Sequence, residues 1–242
     1  MVEENILIFI WQLICGSISL FLTIIAAKRH QVKKTEITKK LLTAFIIFTL
    51  AILSQAAGTY VNYILEINLK SANFGEPNWT YWWFVQLVDQ FQFSQILAIC
   101  GIYYLYLFST EVFYKEKDLK KNTILGVIVF SAIIFYGMIN PLFITTSLGY
   151  FDIAYFLFVF GLLLLFPMLR GSLVLIKKLD KSNPGYRNVR YMIMLVLFFL
   201  CALVWLGLES LFPGSINLFS YLAWAFIVGS LVTAFLGFFR KL

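Results

Sequence analysis

Asp89, Gln92 and Gln95 follow one another at three-residue steps within a long apolar stretch. On a helix this spacing gathers one carboxylate and two amides within about one-third of the circumference. Such groups recognise a ligand by hydrogen bonding, and no base, nucleophile or metal ligand stands beside them to drive a reaction. A second stripe runs through Gln55, Thr59, Asn62 and Glu66 at helical intervals. Glu209 follows Trp205 by one turn, and Tyr221 shares a face with Asn217 and Trp224. Asp89, Gln92, Gln95, Gln55, Asn62, Glu209 and Tyr221 form the candidate ligand-binding set. Solvation near a helix end explains Glu209 and Asp152 as well as a ligand does. Gln12, Gly16, Ser19 and Thr23 form one more stripe, read as packing between helices.

The remaining inventory excludes most other chemistry. The 242 residues hold one histidine, His30, in a basic linker, and three cysteines, Cys15, Cys100 and Cys201, in separate apolar runs. A metal site needs clustered His, Cys or carboxylate ligands, so no metal and no cofactor is expected. No HExxH or GxGD motif and no intramembrane serine–histidine pair occurs, which removes the familiar intramembrane proteases. Intramembrane zinc hydrolases of lipids need several histidines. A retinal protein needs a lysine in its seventh helix, and residues 217–239 contain none. The acids among the lysine-rich linkers (Glu36, Glu111, Glu116, Asp118 and Asp180) read as solvated ion pairs. An enzyme is not expected. Tyr103, Tyr104 and Tyr106 read as an aromatic belt and core.

The elements that carry these residues follow from composition. The chain is 61% hydrophobic, 19% aromatic and only 13% charged, with a mean hydropathy of +0.87. Soluble domains are about a quarter charged. A spanning helix needs about 20 mostly apolar residues. Seven such runs occur, at 5–27, 41–64, 85–109, 123–143, 150–169, 191–212 and 217–239. They do not alternate as barrel strands would. The expectation is an all-α, multi-pass protein of the cell membrane, one domain over 1–242 with seven transmembrane helices.

Eighteen of the nineteen Lys and Arg residues fall on one side of these runs, and only Lys70 falls on the other. The positive-inside rule then sets the N-terminus outside and the C-terminus in the cytoplasm. The net charge of +7 is thereby a topology signal, also suited to anionic lipid headgroups, and no nucleic-acid partner is needed to explain it. Met1–Glu4 lack a positive n-region, so the first run reads as a span and not a cleaved signal. Asn78-Trp79-Thr80 is an N-glycosylation pattern in the aromatic outer loop. Pro184-Gly185 marks a turn in a basic inner linker.

With that orientation the polar side chains gather in the outer half, whereas inner segments such as ILAICGIYYLYLF and FVFGLLLLF carry no charge. This predicts an outward-facing pocket closed toward the cytoplasm by apolar packing. The common motifs of animal G-protein-coupled receptors and of small sugar transporters are missing. In topology, and in its aromatic, amide-bearing third span, the layout is similar to the seven-helix sensor modules that precede kinase domains in prokaryotic signalling proteins. Only Arg240, Lys241 and Leu242 follow the last run, so a membrane or cytoplasmic protein partner is expected to carry any signal. The preferred reading is a receptor or sensor for a small or amphipathic ligand. A small-solute transporter or channel, and a non-catalytic assembly subunit, are the alternatives.

Overall fold

A computed structural model describes residues 2–60, 92–113, 126, 128, 153–211 and 217–239. Six helices run through them: α1 (Val2–Lys33), α2 (Glu36–Thr59), α3 (Gln92–Phe113), α4 (Ile153–Lys178), α5 (Pro184–Leu211) and α6 (Asn217–Ala234), with a π-turn at Phe235–Phe239. No strand occurs among the described residues. Among the described residues four helical stretches are long and apolar enough to cross a bilayer: Ile6–Lys33, Glu36–Thr59, Gly185–Leu206 and Leu218–Phe239. Ile96–Val112 is a shorter apolar helix. These helices cover six of the seven expected runs. The run at 123–143 lies outside the described residues except for Gly126 and Ile128, both helical.

The helices form a ring in which each packs on the next and α6 closes against α1. Their directions follow from the contacts. Ser19 meets Thr49 and Phe9 meets Tyr60, so α1 and α2 are antiparallel. Ser94 meets Gln55 and Glu111 meets Lys40, which sets α3 antiparallel to α2. Trp205 stacks on Phe219 and Phe198 meets Phe226 at a tilt, making α5 and α6 antiparallel, while a tight turn folds α4 back along α5. Cys15 reaches Trp224 and Arg29 reaches Phe238, so α1 and α6 are parallel. Helices α1, α3, α4 and α6 therefore run one way, and α2 and α5 the other.

The ring is filled by Leu22, Ile99, Ile102, Leu164, Leu165, Met168 and Val196, all nearly inaccessible. Large apolar side chains also cover the outside, among them Leu7, Phe21, Ile24, Phe166 and Val204. In water this would be an aggregation surface; in lipid it is the natural exterior. Helix association in lipid rests on close packing and interhelical hydrogen bonds. Gly126 shows the packing: a Cβ there would fall 1.8 Å from the phenolic oxygen of Tyr103. Tyr103 and Tyr106 are buried, in line with the core role expected of them.

The basic linkers are shorter than the sequence reading expects. The segment between the first two runs is almost wholly helical, and His30 lies in the last turn of α1. Lys, Arg and Gln are good helix formers, so the helix continues past the apolar run. Only Lys34 and Thr35 break it. Lys34 takes the left-handed conformation (φ 40°), the usual way to end a helix but one that favours glycine. Thr35 starts α2 through a capping box: its hydroxyl accepts from the Thr38 amide at 3.2 Å, while its own amide donates to the Thr38 hydroxyl at 3.2 Å. The His30 ring and the Thr38 hydroxyl, 2.9 Å apart, tie the two helices across the turn. The turn at Pro184-Gly185 is present, with proline as the first residue of α5. The side-chain oxygen of Asn183 accepts from the Gly185 amide at 2.8 Å.

Thr35→Ala is expected to lower stability by about 1 kcal/mol through loss of the cap. Lys34→Gly is expected to hold or raise it, because glycine takes a positive φ without steric cost. Denaturation in mixed micelles measures both. A stabilising Thr35→Ala would show that this turn does not set the α1–α2 register.

Candidate functional site

Most hydroxyls in the bundle are satisfied by their own helix. Ser17, Thr43, Thr59, Ser109, Thr110, Ser172 and Ser230 each donate to a carbonyl three or four residues earlier, at 2.6–3.1 Å. The Ser19, Thr23 and Thr49 hydroxyls form a knot between α1 and α2. Ser19 and Thr49 are 2.9 Å apart, as are Thr23 and Thr49. Thr49 donates to the Phe45 carbonyl at 2.8 Å and Thr23 to the Ser19 carbonyl at 2.9 Å. Three hydroxyl protons serve these four contacts, so Ser19 donates to Thr49 and Thr23 or Thr49 shares its proton between a backbone carbonyl and the other hydroxyl. Ser19 and Thr23 act as packing residues.

Gln12 does not. It is 1% exposed, and its side-chain oxygen has no hydrogen-bond partner among the described residues. The register explains why. Two turns from the Ser19–Thr49 pair, in opposite directions along the antiparallel helices, Gln12 stands level with Ala56, which is itself buried. The residue level with Gln12 on α2 is thus one whose side chain makes no hydrogen bond. The sequence marks Gln12 as a member of an inward stripe, but the identity of the residue opposite depends on the length of the turn at Lys34-Thr35.

Other polar groups lie in the same layer. Gln55, half-buried on α2, accepts a hydrogen bond from the buried Ser94 of α3. On α6, Cys15 donates to the Trp224 carbonyl at 3.9 Å. One turn nearer the N-terminal ends of these parallel helices, Gln12 is level with Tyr221, which is half-buried. The structure therefore sets two of the sequence-predicted residues, Gln55 and Tyr221, in a layer with Gln12 and Ser94. Asp89, Asn62 and Asn78 lie outside the described residues, as do the side chains of Gln92, Gln95 and Glu209. Gln92 and Gln95 occupy the first turn of α3, and Glu209 the last turn of α5.

The opposite end of the ring is closed differently. Lys40 of α2 pairs with Glu111 of α3. Arg29 donates to the Phe238 carbonyl in the π-turn, joining α1 to the end of α6, where a cation complements the helix dipole. The second carboxylate oxygen of Glu111 is buried without a partner among the described residues. Between the two ends, Phe45, Phe48, Leu105, Leu195, Phe199 and Leu231 line an apolar cavity of about 10 Å³. Ser230, which also lines it, already donates to the Ile227 carbonyl at 2.6 Å. A buried water needs at least two polar partners, so the cavity is dry.

Among the described residues no group of His, Cys, Asp or Glu could hold a metal, and the three cysteines are unbridged. At the layer of Gln12 the arrangement leaves one buried amide oxygen free to accept a hydrogen bond. No family model, curated protein or solved structure matches this chain.

Lys40→Met is expected to cost about 1–3 kcal/mol, because it strands the part-buried Glu111 carboxylate. Replacing both partners, Lys40→Met with Glu111→Leu, is expected to recover most of that loss. Equal losses in the single and double variants, measured by chemical denaturation, would contradict an ion pair that matters to the fold.

Proposed function

We propose that this chain is a seven-span receptor or sensor with its N-terminus outside and its C-terminus in the cytoplasm. It binds a small or amphipathic molecule near its outer face and acts through a protein partner. The seven-span count is supported by helix direction. Because α3 and α4 run the same way, Phe113 and Ile153 lie at opposite ends of the bundle. The apolar run at 123–143 is long enough to return the chain across a bilayer between them. The orientation is supported by charge. Lys28, Lys33, Lys34, Lys39, Lys177, Lys178, Lys181, Arg187 and Arg190 are exposed at one end of the ring, the end that the positive-inside rule assigns to the cytoplasm.

The observation that carries the binding reading is the buried, unsatisfied amide of Gln12 in a layer with Gln55, Ser94 and Tyr221. Asp89, Gln92, Gln95, Asn62 and Glu209 are proposed to complete the site from the outer ends of their helices. Toward the basic end the interior is apolar and dry, which favours a closed receptor over an open conduit. A ligand here would shift the bundle by its differential affinity for two packings. The Lys40–Glu111 and Arg29–Phe238 contacts are the joints such a shift would load.

Native mass spectrometry of the chain released from its own membranes tests the reading. A discrete non-protein mass is expected to remain bound, and Gln55→Leu with Tyr221→Phe is expected to reduce its occupancy at least several-fold. Absence of any bound mass other than bulk lipid, or full retention in the variant, would refute a site in this layer. Solute flux into proteoliposomes would instead establish transport.

A further inference from the structure

We infer that Gln12 is the acceptor for an uncharged hydroxyl-bearing amphiphile, an alcohol head on an apolar body, that reaches it from the membrane. The inference rests on the receptor reading and names the chemical class that its site takes. Three observations converge on it.

The first is the unmatched amide. Gln12 is 1% exposed and its side-chain oxygen lacks a partner among the described residues, although the hydroxyls around it are satisfied. Burying an amide without a hydrogen bond is unfavourable, and the fold retains it level with Ala56. A hydroxyl both donates and accepts, so a single such group matches the amide oxygen and its neighbouring amide nitrogen together.

The second is charge. The polar side chains described at this level are amide, hydroxyl and phenol: Gln12, Gln55, Ser94 and Tyr221. Among the described residues no Lys or Arg stands at this level. The nearest acid on α5, Glu209, lies a full turn beyond Trp205 toward the helix end. The groups described at this level offer an ion no counter-charge, a cost that a neutral head avoids.

The third is the route. Ile10, Leu13 and Ile14 flank Gln12 on the lipid side of α1, each more than 40% exposed. One turn nearer the N-terminus, Phe9 and Tyr60 close the α1–α2 seam with ring centroids 5.6 Å apart. An apolar tail can lie along the Ile10–Leu13–Ile14 face while the head passes beneath that ring pair. A strongly hydrated solute has no such approach.

The test uses the full chain in maltoside micelles, with thermal unfolding followed in the presence of decanol, decanoate, decyltrimethylammonium or decane at equal loading. Decanol is expected to raise the midpoint by about 2–4 °C more than the other three. In Gln12→Leu that excess disappears while the ligand-free midpoint holds or rises. Gln12→Met, which keeps the side-chain length without the amide, gives the same result if the leucine variant folds poorly. Equal shifts with decane and decanol, or a decanol excess that survives in both variants, would overturn the inference. A charged amphiphile acting through Gln55 but not Gln12 would also overturn it while leaving the receptor reading intact. No shift with any of the four overturns it too, and the co-purifying mass then decides the receptor reading on its own.

Discussion

Hydrocarbon makes no hydrogen bonds, so every polar group inside a spanning bundle must find its partner in the protein. The consequence is visible along the chain. Serines and threonines fold back on their own helices, and the Ser19–Thr49–Thr23 knot uses all its protons. Among the described residues only two buried side-chain atoms escape this rule: the amide oxygen of Gln12 and one carboxylate oxygen of Glu111. They lie at opposite ends of the ring. Glu111 retains a partner in Lys40; Gln12 is the larger anomaly because its oxygen faces apolar packing.

The two ends differ in what holds them. At the basic end, charge and backbone carbonyls clamp α1 to α6 and α2 to α3, and a two-residue turn fixes α1 against α2. Toward the other end the described contacts are uncharged: an amide with a serine, a thiol with a distant carbonyl, two aromatic rings across a seam. The apolar layer of Phe48, Leu105 and Phe199, with its small cavity, separates them. Under the proposed receptor reading a ligand at the end away from the lysines would act by repacking, because packed interfaces switch between discrete arrangements more readily than they deform.

Much of this was legible in the residues. Apolar runs longer than a barrel strand dictate helices, and the basic residues gather at one end of the ring as their placement between runs requires. Where reading failed, the cause is specific. Hydropathy reports where the bilayer ends and not where a helix ends, so the basic stretch after Ala27 reads as linker although its side chains favour helix. At 32 residues, α1 spans about 48 Å against about 30 Å of hydrocarbon. The stripe through Gln12, Ser19 and Thr23 gave the inward face correctly but gave its members one shared role. Their roles diverge because Thr49 lies opposite Ser19 while Ala56 lies opposite Gln12. That pairing is set by an αL lysine and a threonine cap, a local detail that periodicity does not encode. Gln55 and Tyr221 stand out from spacing alone as candidates; Ser94, lost among the glutamines of α3, does not.

An experimental structure of the full chain in lipid nanodiscs, resolved well enough to show ordered water, tests the account most directly. The account predicts density within hydrogen-bonding distance of the Gln12 side chain that continues as an apolar body along α1, above a dry interior. A Gln12 amide paired to a neighbouring protein group, with no extra density at its layer, or a water-filled passage reaching Lys40, would contradict it.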